Sequence, residues 1–158
     1  MGAQQSDSSE QRAAEEMIRS QVAAYLGKEL KSITLTLESG AAVQVDGAAE
    51  DESAFVEIFA RQGALKGGQR HKVATDALKL ITIGRSRPGA DLVIAFADEQ
   101  AASYATRGTW MSEALATWGV KVLVVKLDDK IRDGIRDAQV RQQMVNPEAP
   151  APPDAELD

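Results

Sequence analysis

The chain has 158 residues and no cysteine, with 44% apolar residues, 27% charged residues and a formal net charge of −6 at pH 7. This composition is ordinary for one globular domain, and it excludes disulfides, thiolate metal sites and cysteine nucleophiles. The pI near 4.9 argues against indiscriminate nucleic-acid binding but leaves room for a local basic surface. No apolar run has the length of a membrane span, and the N-terminus lacks the pattern of a signal peptide. We therefore expect an intracellular, cytoplasmic protein that does not enter a membrane.

The first half of the sequence predicts one helix followed by three strands. Residues 1–9 are small and polar, so we expect disorder there. A helix then runs from Ser8 or Ser9 to about Leu30, with an apolar stripe at helical spacing. The three strands lie at residues 32–38, 42–47 and 54–60. Because their connections are short, they form an antiparallel meander.

The second half predicts helices alternating with strands. The predicted helices span Gln69–Ile83, Glu99–Trp118 and Asp129–Met144, and the predicted strands span 91–97 and 120–127. The strand at 91–97 is almost continuously apolar, which is typical of a strand buried on both faces. Trp110 and Trp118 share an apolar stripe that we expect to lie in the core. The segment 147–158 is rich in proline, alanine and acidic residues, so we expect a second disordered tail.

The order α-β-β-β-α-β-α-β-α predicts the fold class. A meander feeds a helical crossover into an internal strand, which describes a three-layer α/β domain with a mixed sheet and helices on both faces. The expected boundaries are a single domain at 10–146 between the two tails.

Charge is concentrated around the third predicted strand and the helix after it. From Arg61 to Arg87 there are seven cationic side chains and a single acid, Asp76, in a chain that is acidic as a whole. The basic residues that we expect to contact a polyanion are Arg61, Lys66, Arg70, His71, Arg85 and Arg87. A local basic surface of this kind is compatible with a nucleic-acid partner.

Two acids stand out against this background. Glu57 is flanked by apolar residues on its strand, and an unpaired carboxylate there is costly if buried. It must therefore be exposed at an edge, paired with a cation or bound to a metal. Asp46 ends the second strand, and its Asp-Gly dipeptide is also a common turn signal. The residues alone do not decide whether Asp46 only closes a turn or belongs to a functional site.

The order α-β-β-β-α-β, with Asp46 in VQVDG and Glu57 in FVEIFAR, resembles the PD-(D/E)xK nuclease superfamily. The helix GGQRHKVATDALKL sits where that family places the helix after its catalytic strand. The resemblance covers roughly residues 12–97, and it implies a restriction-endonuclease-like core.

The resemblance also implies a function. It points to a metal-dependent nuclease that hydrolyses the phosphodiester bonds of nucleic acid, with Asp46 and Glu57 holding Mg²⁺ or Mn²⁺. Glu16 on the first helix matches the extra acid that some members add to the metal site. The bound ion polarises the phosphate and lowers the pKa of a water. Carboxylate oxygens are ligands that Mg²⁺ prefers.

The family pattern places a catalytic lysine two residues after the glutamate, where this chain has Phe59. Some relatives supply the lysine from the following helix, so Lys72 is the matching candidate, with Lys66 and Gln69 as further ones. A second hypothesis is a non-catalytic module on the same fold that binds nucleic acid or a protein. A third is an unrelated α/β protein that binds an acidic partner through its basic helix.

Overall fold

The computed structural model describes the backbone of residues 2–145 and the side chains of residues 9–144. The strands are β1 (Lys31–Thr36), β2 (Ala42–Ala48), β3 (Ala54–Phe59), β4 (Asp91–Phe96) and β5 (Val120–Val124). The helices are α1 (Gly2–Leu26), α2 (Gly67–Arg85), α3 (Glu99–Thr106), α4 (Trp110–Thr117) and α5 (Asp129–Val145). The predicted α/β class is confirmed.

The five strands form one mixed sheet in the order β1-β2-β3-β4-β5. Antiparallel pairing joins β1 to β2 and β2 to β3, which confirms the meander. Parallel pairing joins β3 to β4 and β4 to β5, with α2 as the first crossover and α3 with α4 as the second. The internal position predicted for β4 is confirmed, and it explains why Leu92 to Phe96 are all buried.

Helices cover both faces of the sheet. Because side chains alternate between the faces along each strand, one strand contributes to the core on either side. On β3, Phe55 and Phe59 belong to the core shared with α2, α3 and α4. The intervening Val56 and Ile58 belong to a second core, which is shared with α1 and α5. The predicted three-layer arrangement is therefore confirmed.

Several boundaries differ from the predicted ones. Helix α1 begins at Gly2, so it includes residues 2–9, for which we expected disorder, whereas the predicted tail at 147–158 lies outside the described residues. The single helix expected at 99–118 is two helices. Gly108 adopts a positive φ of 57° between them, and the Thr109 side chain accepts a hydrogen bond from Ser112 N to begin α4.

Helix α4 also corrects the placement of the tryptophans. Trp110 and Trp118 are 67% and 63% exposed, so the expectation that both lie in the core is wrong. Met111 and Leu115 carry the buried stripe of this short helix instead. Among the helices of the described chain, none is both long and apolar enough to cross a membrane.

Two leucines on α2 test the orientation of this helix. Leu80 is fully buried in the core and Leu78 is 66% exposed, so the same substitution leaves a cavity at one position only. We expect Leu80→Ala to lower the free energy of unfolding by about 2–5 kcal/mol. Leu78→Ala, the matched control, should change it by less than about 0.5 kcal/mol. Urea unfolding measures both, and equal losses would contradict the orientation.

Candidate functional site

The site begins where β2 leaves β3. Strand β2 runs from Ala42 to Ala48, but only its last two residues, Gly47 and Ala48, pair with β3. The register between β1 and β2 also shifts, since Lys31 lies opposite Ala48 and Ile33 lies opposite Val45. Strand β2 therefore carries one extra residue there, as in a β-bulge. The bulge opens a gap beside the second half of β3.

Asp46 lies in this bulge and spans the gap. Its carboxylate Oδ2 accepts a hydrogen bond from the backbone N–H of Ile58 at 2.9 Å. From the other side, Arg19 Nε on α1 donates to the backbone carbonyl of Asp46 at 2.8 Å. Asp46 is therefore a strand residue held at the opening between two strands, and the interpretation of Asp46-Gly47 as a turn is wrong.

Glu57 is the charged group at the centre of the site. Its side chain is 2% exposed and lies on the α2 face of β3, as do Phe55 and Phe59. Lys79 Nζ on α2 donates to Glu57 Oε1 at 2.8 Å. Of the three arrangements that the sequence left open for this acid, pairing with a cation is the one found.

A second acid and a second lysine complete the cluster. Lys72 Nζ lies 2.7 Å from Asp76 Oδ2, and Lys79 Nζ lies 3.9 Å from Asp76 Oδ1. The Lys72 ammonium also lies 5.0 Å from the centre of the Phe59 ring. Lys72 thus reaches the space above Phe59.

Neither Lys79 nor Asp76 was predicted to belong to the site. Spacings of three, four and seven residues put Lys72, Asp76 and Lys79 on one face of α2, a signal that the sequence does contain. Asp76 is also the one acid between Arg61 and Arg87, which was a second signal in the sequence. In the structure Asp76 is 5% exposed and neutralises part of the positive charge of that segment.

The electrostatic environment of Glu57 is unusual. Burial raises the pKa of Glu57 from 4.5 to about 7, and the negative charges of Asp46 and Asp76 act in the same direction. The hydrogen bond from Lys79 opposes this shift without cancelling it. The surroundings of Glu57 therefore favour its protonated form more than water does.

These residues open into a cavity of about 470 Å³. Its wall on the far side of the sheet is formed by α1 and α5. Gln139 of α5 fixes this wall, because its side chain accepts from Gln62 N at 2.9 Å and donates to Gln62 O at 3.0 Å. The charged residues lining the cavity are Glu10, Glu15, Asp46, Glu57, Arg61, Lys72, Asp76 and Lys79.

The acid predicted from α1 is not among them. Glu16 is exposed and does not line the cavity, whereas its neighbour Glu15 does. One residue changes the direction of a helical side chain by about 100°, so predicting which acid lines the cavity required the rotation of α1 about its axis. The Asp46–Arg19 hydrogen bond is part of what sets that rotation.

The predicted basic residues do not form one surface. Arg61 lines the cavity, and Lys66, Arg70 and His71 are at the N-terminal end of α2, where the Arg70 guanidinium lies 5.2 Å from the centre of the Tyr104 ring. Arg85 is at the other end, about 22 Å along the axis from Arg70, and Arg87 follows just after the helix. Arg87 is also engaged, since its Nε lies 3.0 Å from Glu52 Oε2.

The acids of the site meet some of the requirements for binding a divalent cation. Within the described part of the chain, no cluster of three or more His, Cys, Asp or Glu side chains has the arrangement of a metal site. The hydrogen bonds described above occupy Asp46 Oδ2 and Glu57 Oε1, which leaves the second oxygen of each carboxylate. One or two carboxylates with several waters are a usual environment for protein-bound Mg²⁺, so this pair is chemically suitable.

No family model, curated protein or solved structure matches this chain. Functional conclusions therefore rest on the geometry of the site. Asp46, Glu57 and Lys72 are brought together at the cavity, with Arg61 beside them. Glu16, Arg85 and Arg87 lie elsewhere.

Because the pKa of Glu57 is raised in the folded protein, the free energy of unfolding should depend on pH. The folded state binds the Glu57 proton more tightly than the unfolded chain, so this stabilisation is complete below pH 4.5 and is lost as the pH rises through about 7. The total loss should be about 3 kcal/mol. We expect wild type to lose this stability relative to Glu57→Gln, as measured by urea unfolding at several pH values in EDTA. A difference that is constant across pH 5 to 8 would contradict it.

Proposed function

We propose that this protein is a metal-dependent nuclease that hydrolyses phosphodiester bonds in nucleic acid. The observation that carries the proposal is the convergence of two carboxylates and a lysine at one gap in the sheet. Asp46 spans that gap, Glu57 faces it from β3, and Lys72 reaches it from α2. A site that combines carboxylates for a hard cation with a neighbouring ammonium is suited to a charged phosphate.

Asp46 and Glu57 would hold the cation, Mg²⁺ or Mn²⁺, through their carboxylate oxygens. When bound, such an ion polarises a phosphate oxygen and lowers the pKa of a water. Asp46 is fixed in place by two hydrogen bonds that it accepts, one at its carboxylate from Ile58 N–H and one at its backbone carbonyl from Arg19 Nε. A ligand that is held before the cation binds loses little freedom on binding.

Lys72 is the residue that we assign to the substrate. Its side chain is 53% exposed, so its ammonium is accessible to a phosphate, whereas Lys79 is only 26% exposed. A positively charged donor aimed at a phosphate stabilises the charge that develops in the transition state. Arg61 at the cavity wall is placed to neutralise a neighbouring phosphate of the same strand.

The topology is compatible with this proposal. The chain follows the order α1-β1-β2-β3-α2-β4, the order on which the resemblance to the PD-(D/E)xK superfamily rests. Asp46 lies near the end of β2 and Glu57 lies inside β3, as that resemblance implies. Lys72 above Phe59 is compatible with a lysine supplied from the following helix.

A second candidate function is binding of nucleic acid without cleavage. The observation that favours it is Phe59, which is 4% exposed and packs against Phe96 with ring centres 5.4 Å apart. An aromatic residue built into the core at the position of the family lysine is compatible with a site that has lost its chemistry. Cleavage assays separate the two candidates.

We expect a labelled oligonucleotide to be cleaved in Mg²⁺ or Mn²⁺ and to remain intact in EDTA. Asp46→Asn and Glu57→Gln should each lower the rate at least about a hundredfold, and Lys72→Met about tenfold or more. Arg85→Met is the matched control, because it removes a cation from the same helix far from the cavity. An unchanged rate in Glu57→Gln, or a lowered rate in Arg85→Met, would overturn the assignment.

Binding of nucleic acid should depend on one end of α2. In EDTA, where no cleavage is expected, Arg61→Glu and Arg70→Glu should weaken oligonucleotide binding and reduce its dependence on salt. Arg85→Glu carries the same charge reversal and should leave binding nearly unchanged, since it lies at the other end of the helix. Fluorescence anisotropy at several salt concentrations measures all three. Equal effects at Arg70 and Arg85 would show that the nucleic acid lies along the whole helix.

A further inference from the structure

Lys79 has surroundings that differ from those of an ordinary ion-paired lysine. Its ammonium lies 2.8 Å from Glu57 Oε1, 3.0 Å from the backbone carbonyl oxygen of Gln44 and 3.9 Å from Asp76 Oδ1. Two carboxylates and a backbone carbonyl are oxygen ligands of the kind that hard metal cations take. The ammonium therefore sits in a set of oxygens that would also suit a metal ion.

The position of these oxygens is as informative as their chemistry. Gln44 lies in the part of β2 that does not pair with β3, and Glu57 lies on β3. Lys79 thus bridges the two strands across the gap that Asp46 spans nearby. A positive charge at this point holds the two strands together where their own hydrogen bonds are missing.

Charge balance gives the bridge a further consequence. Asp46, Glu57 and Asp76 carry −3 when all three are ionised. Lys72 and Lys79 carry +2, so these five side chains together have a net charge of −1. A divalent cation entering this cluster meets the Lys79 ammonium at the carboxylate that it needs, Glu57. Two cations within a few ångströms of each other repel strongly in a partly buried site.

We propose that Lys79 is a built-in substitute for the divalent cation. In the metal-free protein its ammonium neutralises Glu57 and joins β2 to β3. When a metal ion binds, the ammonium leaves Glu57 and the ion takes over both roles. This inference rests on the proposed function, because it takes Glu57 as a metal ligand, and it adds that binding of the ion is opposed by a residue of the chain itself.

A purely structural ion pair would behave differently. If Lys79 serves only to pair with Glu57, replacing it destabilises the protein, and the metal gains no more than it gains when the neighbouring charge of Lys72 is removed. If Lys79 stands in for the ion, the replacement destabilises only the metal-free protein, and added metal restores the loss. The test must therefore compare metal affinity and metal-dependent stability, neither of which requires cleavage.

Isothermal titration with Mn²⁺ and Mg²⁺ at fixed pH is the direct experiment on the full chain. We expect Lys79→Met to bind the ion at least about tenfold more tightly than wild type, since a competing charge is removed. Lys79→Gln should behave in the same way and serves if the methionine variant does not fold. Lys79→Arg keeps the charge and should not bind more tightly. Lys72→Met removes a charge that does not contact Glu57, so its effect should be smaller.

Thermal unfolding supplies the second readout. Without metal, Lys79→Met should melt at a lower temperature than wild type, and saturating Mn²⁺ should raise its melting temperature by more than it raises that of wild type. Binding to Lys79→Met but not to wild type would support the proposal. If both bind with equal affinity, the substitute role is wrong and the metal site stands. If neither binds, both the metal site and this role are overturned.

Discussion

The burial of one carboxylate constrains the rest of this structure. Glu57 is 2% exposed in the middle of a strand whose other residues are all apolar and buried. An isolated buried charge costs many kcal/mol, so the fold must supply a cation, a proton or both. Lys79 supplies the cation, and the raised pKa of Glu57 favours its protonated form. Buried ion pairs stabilise a fold only weakly. A functional role therefore explains this buried acid better than a contribution to stability does.

The gap between β2 and β3 is what gives this acid access to a ligand. A continuous ladder would have closed the sheet edge beside Ile58, and Glu57 would face only α2. The bulge in β2 instead turns Asp46 toward the Ile58 N–H and leaves a cavity that reaches from α2 to α1 and α5. The cavity lies beyond the second half of β3, toward its carboxyl end, where ligands bind in many open α/β sheets. The bulge in β2 and the carboxyl end of β3 therefore both indicate this cavity as the place where a ligand would bind.

Much of this architecture follows from sequence patterns. Local signals in the sequence include the alternation in β1 and β2, the apolar run of β4 and the helical spacing of α2. The order of these elements predicts a three-layer domain with a mixed sheet. Glu57 could be selected because a carboxylate in an apolar strand needs a partner, whereas Asp46 and Lys72 were selected through the resemblance to the nuclease superfamily. The partner itself was not predictable, since Lys79 lies 22 positions from Glu57 and its contact depends on how α2 packs on the sheet. Glu16 and the tryptophans of α4 were misplaced for the same reason, because a helix's rotation is set by tertiary packing.

The proposed function requires Asp46 and Glu57 to hold a divalent cation together. Crystals grown with Mn²⁺ and measured at the manganese absorption edge test it most directly. The account predicts an anomalous peak within about 2.5 Å of an oxygen of each carboxylate, with the Lys79 ammonium moved away from Glu57. A peak elsewhere, or an intact Lys79–Glu57 contact with no peak between the two carboxylates at saturating Mn²⁺, would contradict it.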